Sequence, residues 1–208
     1  MTKAIIILAT YCPNQERYGL CEQSFSEIHR TGLPREEYEL IVVDNGGIHR
    51  DLVEALDADL IVTNSRNLGQ AAAFNQVIAM TKTKSLALMD DDLGYKQGWL
   101  KHGLELLRRF PNHVISLRAL DREEYIDGET EEGHKFARKV GCVWIIRRGV
   151  YDAVGRFGMG YYAYGGLYTR NLIRKGYRFL VSKEPYIFHL GHGKSIISNK
   201  RDGKWKYL

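Results

Sequence analysis

The stretch Lys84-Ser85-Leu86-Ala87-Leu88-Met89-Asp90-Asp91-Asp92 decides the reading of this chain. Its first six residues are mostly apolar, and a short apolar run bounded by polar residues predicts a strand buried on both faces. Three consecutive carboxylates then close it. A single Asp after a strand is an ordinary turn or cap residue. Three like charges at the end of a buried strand are costly unless a cation or oriented dipoles compensate them. A hard divalent cation takes oxygen ligands and bridges phosphate oxygens. A cluster that held Mg2+ or Mn2+ against a diphosphate would neutralise a departing nucleoside diphosphate.

Outward from this stretch the pattern alternates. Residues 4–9, 39–43, 60–63 and 113–117 predict further strands. Residues 16–29 have helical spacing, with Tyr18, Cys21, Phe25 and Ile28 on one side. Residues 51–56, 70–80 and 97–109 predict the other helices. Such alternation implies parallel βαβ units, an α/β fold with a doubly wound layer. Ligands of open parallel sheets bind beyond the carboxyl ends of the strands. The polar punctuation falls there: Thr10-Tyr11, Asp44-Asn45 and Asp90–Asp92.

The regularity stops near residue 119. Residues 119–138 are acidic and poor in large aliphatics, and read as a mobile loop or lid. Residues 140–146, 179–181 and 185–189 predict short strands, 161–176 a Gly/Tyr-rich stretch that turns helical, and 193–208 a basic tail. At 208 residues, against ~150 per domain, the chain reads as one domain in two halves, 1–118 and 119–208. The acidic loop and the basic tail belong to the second half.

Composition narrows the function. No apolar run approaches the ~20 residues that span a bilayer, and the run at 4–9 is too short for a signal segment. Cys12, Cys21 and Cys142 form no CxxC pair. Reduced thiols and a cytoplasmic setting are expected. The net charge of +5 hides an asymmetry: residues 121–132 net −6 and residues 134–208 net +13. The basic half implies an anionic partner or a solvated surface. A nicotinamide-dependent oxidoreductase would need a GxGxxG turn after its first strand, and Thr10-Tyr11-Cys12-Pro13-Asn14 is not one. A nucleotidyltransferase would show a Gly-rich basic loop there.

Four segments, in order and spacing, resemble the family 2 glycosyltransferases of the GT-A fold. They are Ile5-Ile6-Ile7-Leu8-Ala9-Thr10-Tyr11, Leu40-Ile41-Val42-Val43-Asp44-Asn45-Gly46-Gly47, Asn64-Ser65-Arg66-Asn67-Leu68-Gly69-Gln70-Ala71-Ala72-Ala73-Phe74-Asn75, and Leu88-Met89-Asp90-Asp91-Asp92. A stretch from Gly141 to Phe157 is similar to the family's acceptor-side strand and helix. The resemblance implies a Rossmann-like nucleotide-binding fold with a mostly parallel central sheet flanked by helices. It also implies Mn2+- or Mg2+-dependent transfer from a nucleoside-diphosphate sugar, a UDP-sugar, to an acceptor hydroxyl.

Residue roles follow from the resemblance. Thr10, Tyr11 and Pro13 would line base and ribose, and Asp44 would accept from a uracil-type ring. Asn67 and Gly69 would border the nucleotide, with Asn75 anchoring their loop. Asp90 and Asp92 would contact ribose and metal, with Asp91 between them. His189 would be a further metal ligand and His192 its competitor. Lys194 could touch the diphosphate. Beside these roles, the tyrosine-rich basic half itself offers Trp144, Tyr162 and Tyr164, with Tyr161, Tyr168 and Trp205, as an aromatic acceptor platform.

One departure matters. Inverting members carry an acidic pair about a dozen residues before a turn like Arg174-Lys175-Gly176-Tyr177; counting back here reaches Tyr164-Gly165-Gly166. Three explanations compete. Asp152 or the 121–132 loop supplies the general base; or configuration is retained and the departing phosphate takes the proton; or the chain is a non-catalytic nucleotide-sugar-binding module. The acceptor is expected to be a saccharide, a cell-envelope molecule or, as in phage-type enzymes, a hydroxymethylated pyrimidine in DNA.

Overall fold

The computed structural model describes residues 3–47, 50–117, 126–138, 140, 143–158, 166–190, 198–201 and 204–207. Four parallel strands form its first half: β1 (Ala4–Thr10), β2 (Tyr38–Asp44), β3 (Leu60–Thr63) and β4 (Ser85–Met89). They lie in the order β3-β2-β1-β4, with Thr10 level with Asp44 and Leu8 with Met89. Helices α1 (Gln15–Glu27), α2 (Arg50–Glu54) and α3 (Gln70–Met80) are the crossovers. All seven residues of β1 are buried, as covering both faces of a parallel sheet requires. Ile6 and Leu8 enter one core, and Ile5 and Ile7 the other.

The second half departs from uniform alternation. Three-residue β5 (Leu93–Tyr95) directly follows the carboxylates and precedes α4 (Trp99–Arg109) and β6 (His113–Ser116). β9 (Trp144–Arg147) runs antiparallel between β4 and β6, so the parallel layer is interrupted. Helices α5 (Arg148–Val154) and α6 (Gly166–Arg174) follow, then β10 (Arg178–Val181), parallel to β6. β11 (Ile187–His189) leaves the main sheet and pairs antiparallel with β5. The basic tail forms a hairpin, β12 (Ser198–Arg201) with β13 (Lys204–Tyr207).

The expected acidic lid is in part a hairpin. Within 119–138, β7 (Ile126–Glu129) and β8 (Lys135–Ala137) extend the main sheet beyond β10; residues 118–125 lie outside the described residues. Two of its acids are in ion pairs: Asp127 with Arg138 at 2.9 Å and Arg178 at 3.7 Å, and Glu132 with Arg109. Part of the run of negative charge thus holds the hairpin to its neighbours.

Histidines under this hairpin give a pH prediction. His102 bonds Ser182 at 3.0 Å, stacks on Tyr186 and lies 6.5 Å from the His134 ring. Burial, and then His134, push its pKa down. Burial, and then Arg178, do the same to His113. The unfolded chain binds more protons at these sites, so their contribution is complete above the unfolded value, near 6.5, and is lost as pH falls below it. Calorimetric melts should show Tm falling between pH 7 and pH 5, with a shallower fall in His102→Gln. Equal slopes would remove this assignment.

Candidate functional site

The carboxyl ends of β1, β2 and β4 meet at the carboxylates. Asp91 is buried and turns inward. Its Oδ2 accepts bonds from Thr10 Oγ1 and the Tyr11 amide, both at 2.9 Å, and its Oδ1 accepts from Arg17. It ties β1 to β4. Asp90 accepts from Gln70 Nε2, at the first residue of α3. Asp92 uses both oxygens: Arg17 Nη1 donates to Oδ2 at 2.8 Å, and His189 Nδ1 lies 3.4 Å from Oδ1.

Backbone pairing explains how residues 97 apart in sequence meet. His189 is the register partner of Leu93, and the Leu190 amide donates to the Asp92 carbonyl at 2.9 Å. Burial alone would push the Asp92 carboxyl up; His189 and Arg17 outweigh it and hold it well below its ordinary range. Among the described residues no three His, Cys, Asp or Glu side chains form a complete metal cage. Asp92 and His189 fit as a two-donor seat, since a small divalent ion commonly takes one or two protein ligands and fills the rest of its shell with phosphate oxygens and water.

Arg17 is the residue that sequence reading missed. Asn14 caps α1 by accepting from the Arg17 amide at 2.9 Å, and Asp91 and Asp92 hold the guanidinium. Burial works against its charge, yet Asp91 and Asp92 outweigh this and hold its pKa above the usual value. Part of the compensation that the carboxylates demand therefore comes from the chain itself. Beside them, burial and then Asp91 push the Cys21 thiol far up. Cys21 is a packed neutral thiol and no nucleophile.

Asp44 is buried at the end of β2, and its Oδ1 accepts from the Gly47 amide at 3.0 Å. An asparagine network shapes the neighbouring loop. Asn45 Nδ2 donates to Asn67 Oδ1 at 2.8 Å, and Asn67 Oδ1 also accepts from the Gly69 amide at 2.8 Å. Asn67 is therefore engaged within the loop. Asn75, expected to anchor this loop, instead clamps the segment after α5. Its Oδ1 accepts from Tyr151 Oη at 2.9 Å and the Phe157 amide at 3.1 Å, and its Nδ2 donates to the Phe157 carbonyl at 3.0 Å.

Gly46 has φ +82, and a Cβ there would stand 2.6 Å from the Arg66 backbone. Gly46→Ala should cost about 2–4 kcal/mol, from left-handed strain plus overpacking against an unyielding neighbour. Urea unfolding checks this, and a loss under 0.5 kcal/mol would contradict the packing. Val143, just before β9, is the only described non-glycine with positive φ, at 75°. That is a strained state for a β-branched residue, and it lies at the same end of the sheet as the carboxylates.

Two expected roles are corrected. Trp144 is 0% exposed and Tyr168 4%, packed with Phe157 and Phe179, so both are core rather than an acceptor platform. Asp152 is exposed and pairs with Arg148 at 3.8 Å. The Arg148 amide donates to the Lys84 carbonyl, ahead of β4, and its Nη2 to the Ile78 carbonyl. Asp152 is thus tied to the opposite end of β4 from the carboxylates and is no base for chemistry there. Tyr161, Tyr162, Tyr164, His192 and Lys194 lie outside the described residues. No described helix is long and apolar enough to cross a membrane.

Residues 18–136, more than half of the chain, match the family described as glycosyl transferase family 2. No curated protein gives a significant sequence match. Among solved structures, GalNAc-T7 with UDP, GalNAc and Mn2+ is similar at TM-score 0.69 and 11% identity, over 91% of this chain and 43% of that one. S. aureus TarS 1-349 is similar at TM-score 0.66 and 16% identity, over 90% and 60%. Its complex with UDP is similar at TM-score 0.66 and 16% identity, over 89% and 60%. The chain thus spans 43% to 60% of these neighbours' length. Family match and architecture agree: this chain belongs to the family 2 glycosyltransferases and has their GT-A fold.

Proposed function

We propose that the chain transfers a sugar from a UDP-sugar to an acceptor hydroxyl, with a divalent cation, Mn2+ or Mg2+, seated on Asp92 and His189. The meeting of Asp92 Oδ1 and His189 Nδ1 at 3.4 Å, beyond the end of β4, carries this reading. When bound, the ion would offset charge on the departing diphosphate. Around it, Thr10, Tyr11 and Pro13 line base and ribose, Asp44 accepts from the uracil-type ring, and Asp90 faces the ribose. The 64–69 loop borders the nucleotide through its backbone near Gly69, because the Asn67 side chain is already engaged. The family resemblance assigns Lys194 to the diphosphate and His192 as the alternative metal ligand. The UDP-bound TarS and the UDP- and Mn2+-bound GalNAc-T7 neighbours support the donor class.

With Asp152 set aside, the proton of the acceptor goes either to an acid of the 121–132 segment or to the departing phosphate, the second giving retention. The net +13 of residues 134–208 favours an anionic acceptor, whether a saccharide, a cell-envelope molecule or modified DNA. The test is a panel of labelled UDP-sugars with Mn2+ or with EDTA. Transfer or slow hydrolysis of one donor, dependent on the metal, is expected. Binding without turnover of any donor would make the chain a non-catalytic module.

A further inference from the structure

Arg17 is the only Lys or Arg buried among the described residues, at 6% exposure. A guanidinium is a rigid fork that can hold two carboxylates at once, and here its two arms go to different ones. Nη2 reaches Asp91 Oδ1, and Nη1 reaches Asp92 Oδ2 at 2.8 Å. Asp91 is already fixed by Thr10 and Tyr11, so it anchors the fork from behind. Asp92 is then held by one oxygen, with the other turned toward His189.

The helix that carries Arg17 is attached at both ends. Asn14 caps its start. Near its end, Ser24 Oγ accepts from the Leu93 amide at 3.2 Å and Glu27 Oε2 from the Tyr95 amide at 2.9 Å. Those amides belong to β5, the strand that aligns His189. One helix therefore sets the position of both proposed donors.

We infer that Arg17 is a positioning residue for the cation site: it fixes Asp92 by one oxygen and presents the other beside His189. This rests on the reading that Asp92 and His189 take a divalent cation. A lysine at this position keeps the charge but cannot span two carboxylates with a planar fork, so it separates geometry from charge.

The test measures Mn2+ binding, with UDP present, by calorimetry and by the electron paramagnetic resonance signal of the bound ion. Wild type, Arg17→Lys and Arg17→Gln are compared, with thermal melts on each. Removing a group that orients a metal ligand commonly weakens metal affinity about 10–100-fold. Arg17→Lys should remain folded, fall in that range and show an altered Mn2+ signal. Wild-type affinity and signal in folded Arg17→Lys would overturn the role, whatever the stability of Arg17→Gln. A wild-type chain that takes up no Mn2+ would overturn the cation reading itself, and this role with it.

Discussion

Asp92→Asn should lower turnover of the UDP-sugar about 10²–10³-fold, the loss typical of removing one group that stabilises developing charge, while the chain stays folded. The amide has nearly the shape of the carboxylate, and its one oxygen can still accept from Arg17 Nη1. Asp91 continues to hold Nη2. What disappears is the negative charge beside His189, on a group that Arg17 and His189 now keep ionised far below neutral pH. Asp91→Asn should behave differently. Asp91 accepts from Thr10, Tyr11 and Arg17, and an amide can satisfy only some of these, so its loss falls on stability. Steady-state rates with thermal melts separate the two. A rate within twofold of wild type in folded Asp92→Asn would sink the assignment.

Trp144→Ala should cost about 3–5 kcal/mol, the usual range for emptying a buried aromatic site. That is a large part of the ~5–15 kcal/mol that holds a domain together. Trp144 opens β9, stands level with Leu88 on β4, and packs within 5.3 to 6.2 Å, centroid to centroid, of Phe179, Tyr168 and Phe157. Phe157 is held in turn by Asn75. The hole would open against the rings of Phe157, Tyr168 and Phe179, which are too rigid to collapse into it. Urea unfolding checks the loss, and Trp144→Phe should recover much of it. Unchanged stability with weakened acceptor binding would restore the platform role that the core packing contradicts.

The parallel half was legible because it obeys one simple rule. Strands covered on both faces must have apolar middles, and β1, β2 and β4 do, with polar residues only near their ends. The carboxylate cluster and its place at the strand ends followed from the same reading. The rest depends on long-range pairing that leaves little local pattern. β5 and β11 have three residues each, too few for periodicity, yet their pairing brings His189 to Asp92. Their contact also needs Gly94, where a Cβ would run into the Phe188 ring.

β9 reads locally as any buried strand, and its antiparallel direction is set only by its neighbours. The hairpin β7–β8 read as a mobile loop or lid because partners of its acids, Arg109 and Arg178, lie on distant elements. Arg17 was hidden among the polar residues of α1, in a helix whose hydrophobic stripe drew attention elsewhere. The one available signal was chemical. A cluster of carboxylates at a buried strand end demands positive charge, and a cation near the start of the first helix could have been weighed as its source alongside an external ion.

The most direct measurement is an anomalous difference map from crystals grown with UDP and Mn2+. A manganese peak contacted by Asp92 and His189 and by the diphosphate, with the uracil near Asp44 and Thr10, is the expected result. UDP seated away from the carboxyl ends of β1, β2 and β4, or manganese bound without either residue, would contradict it.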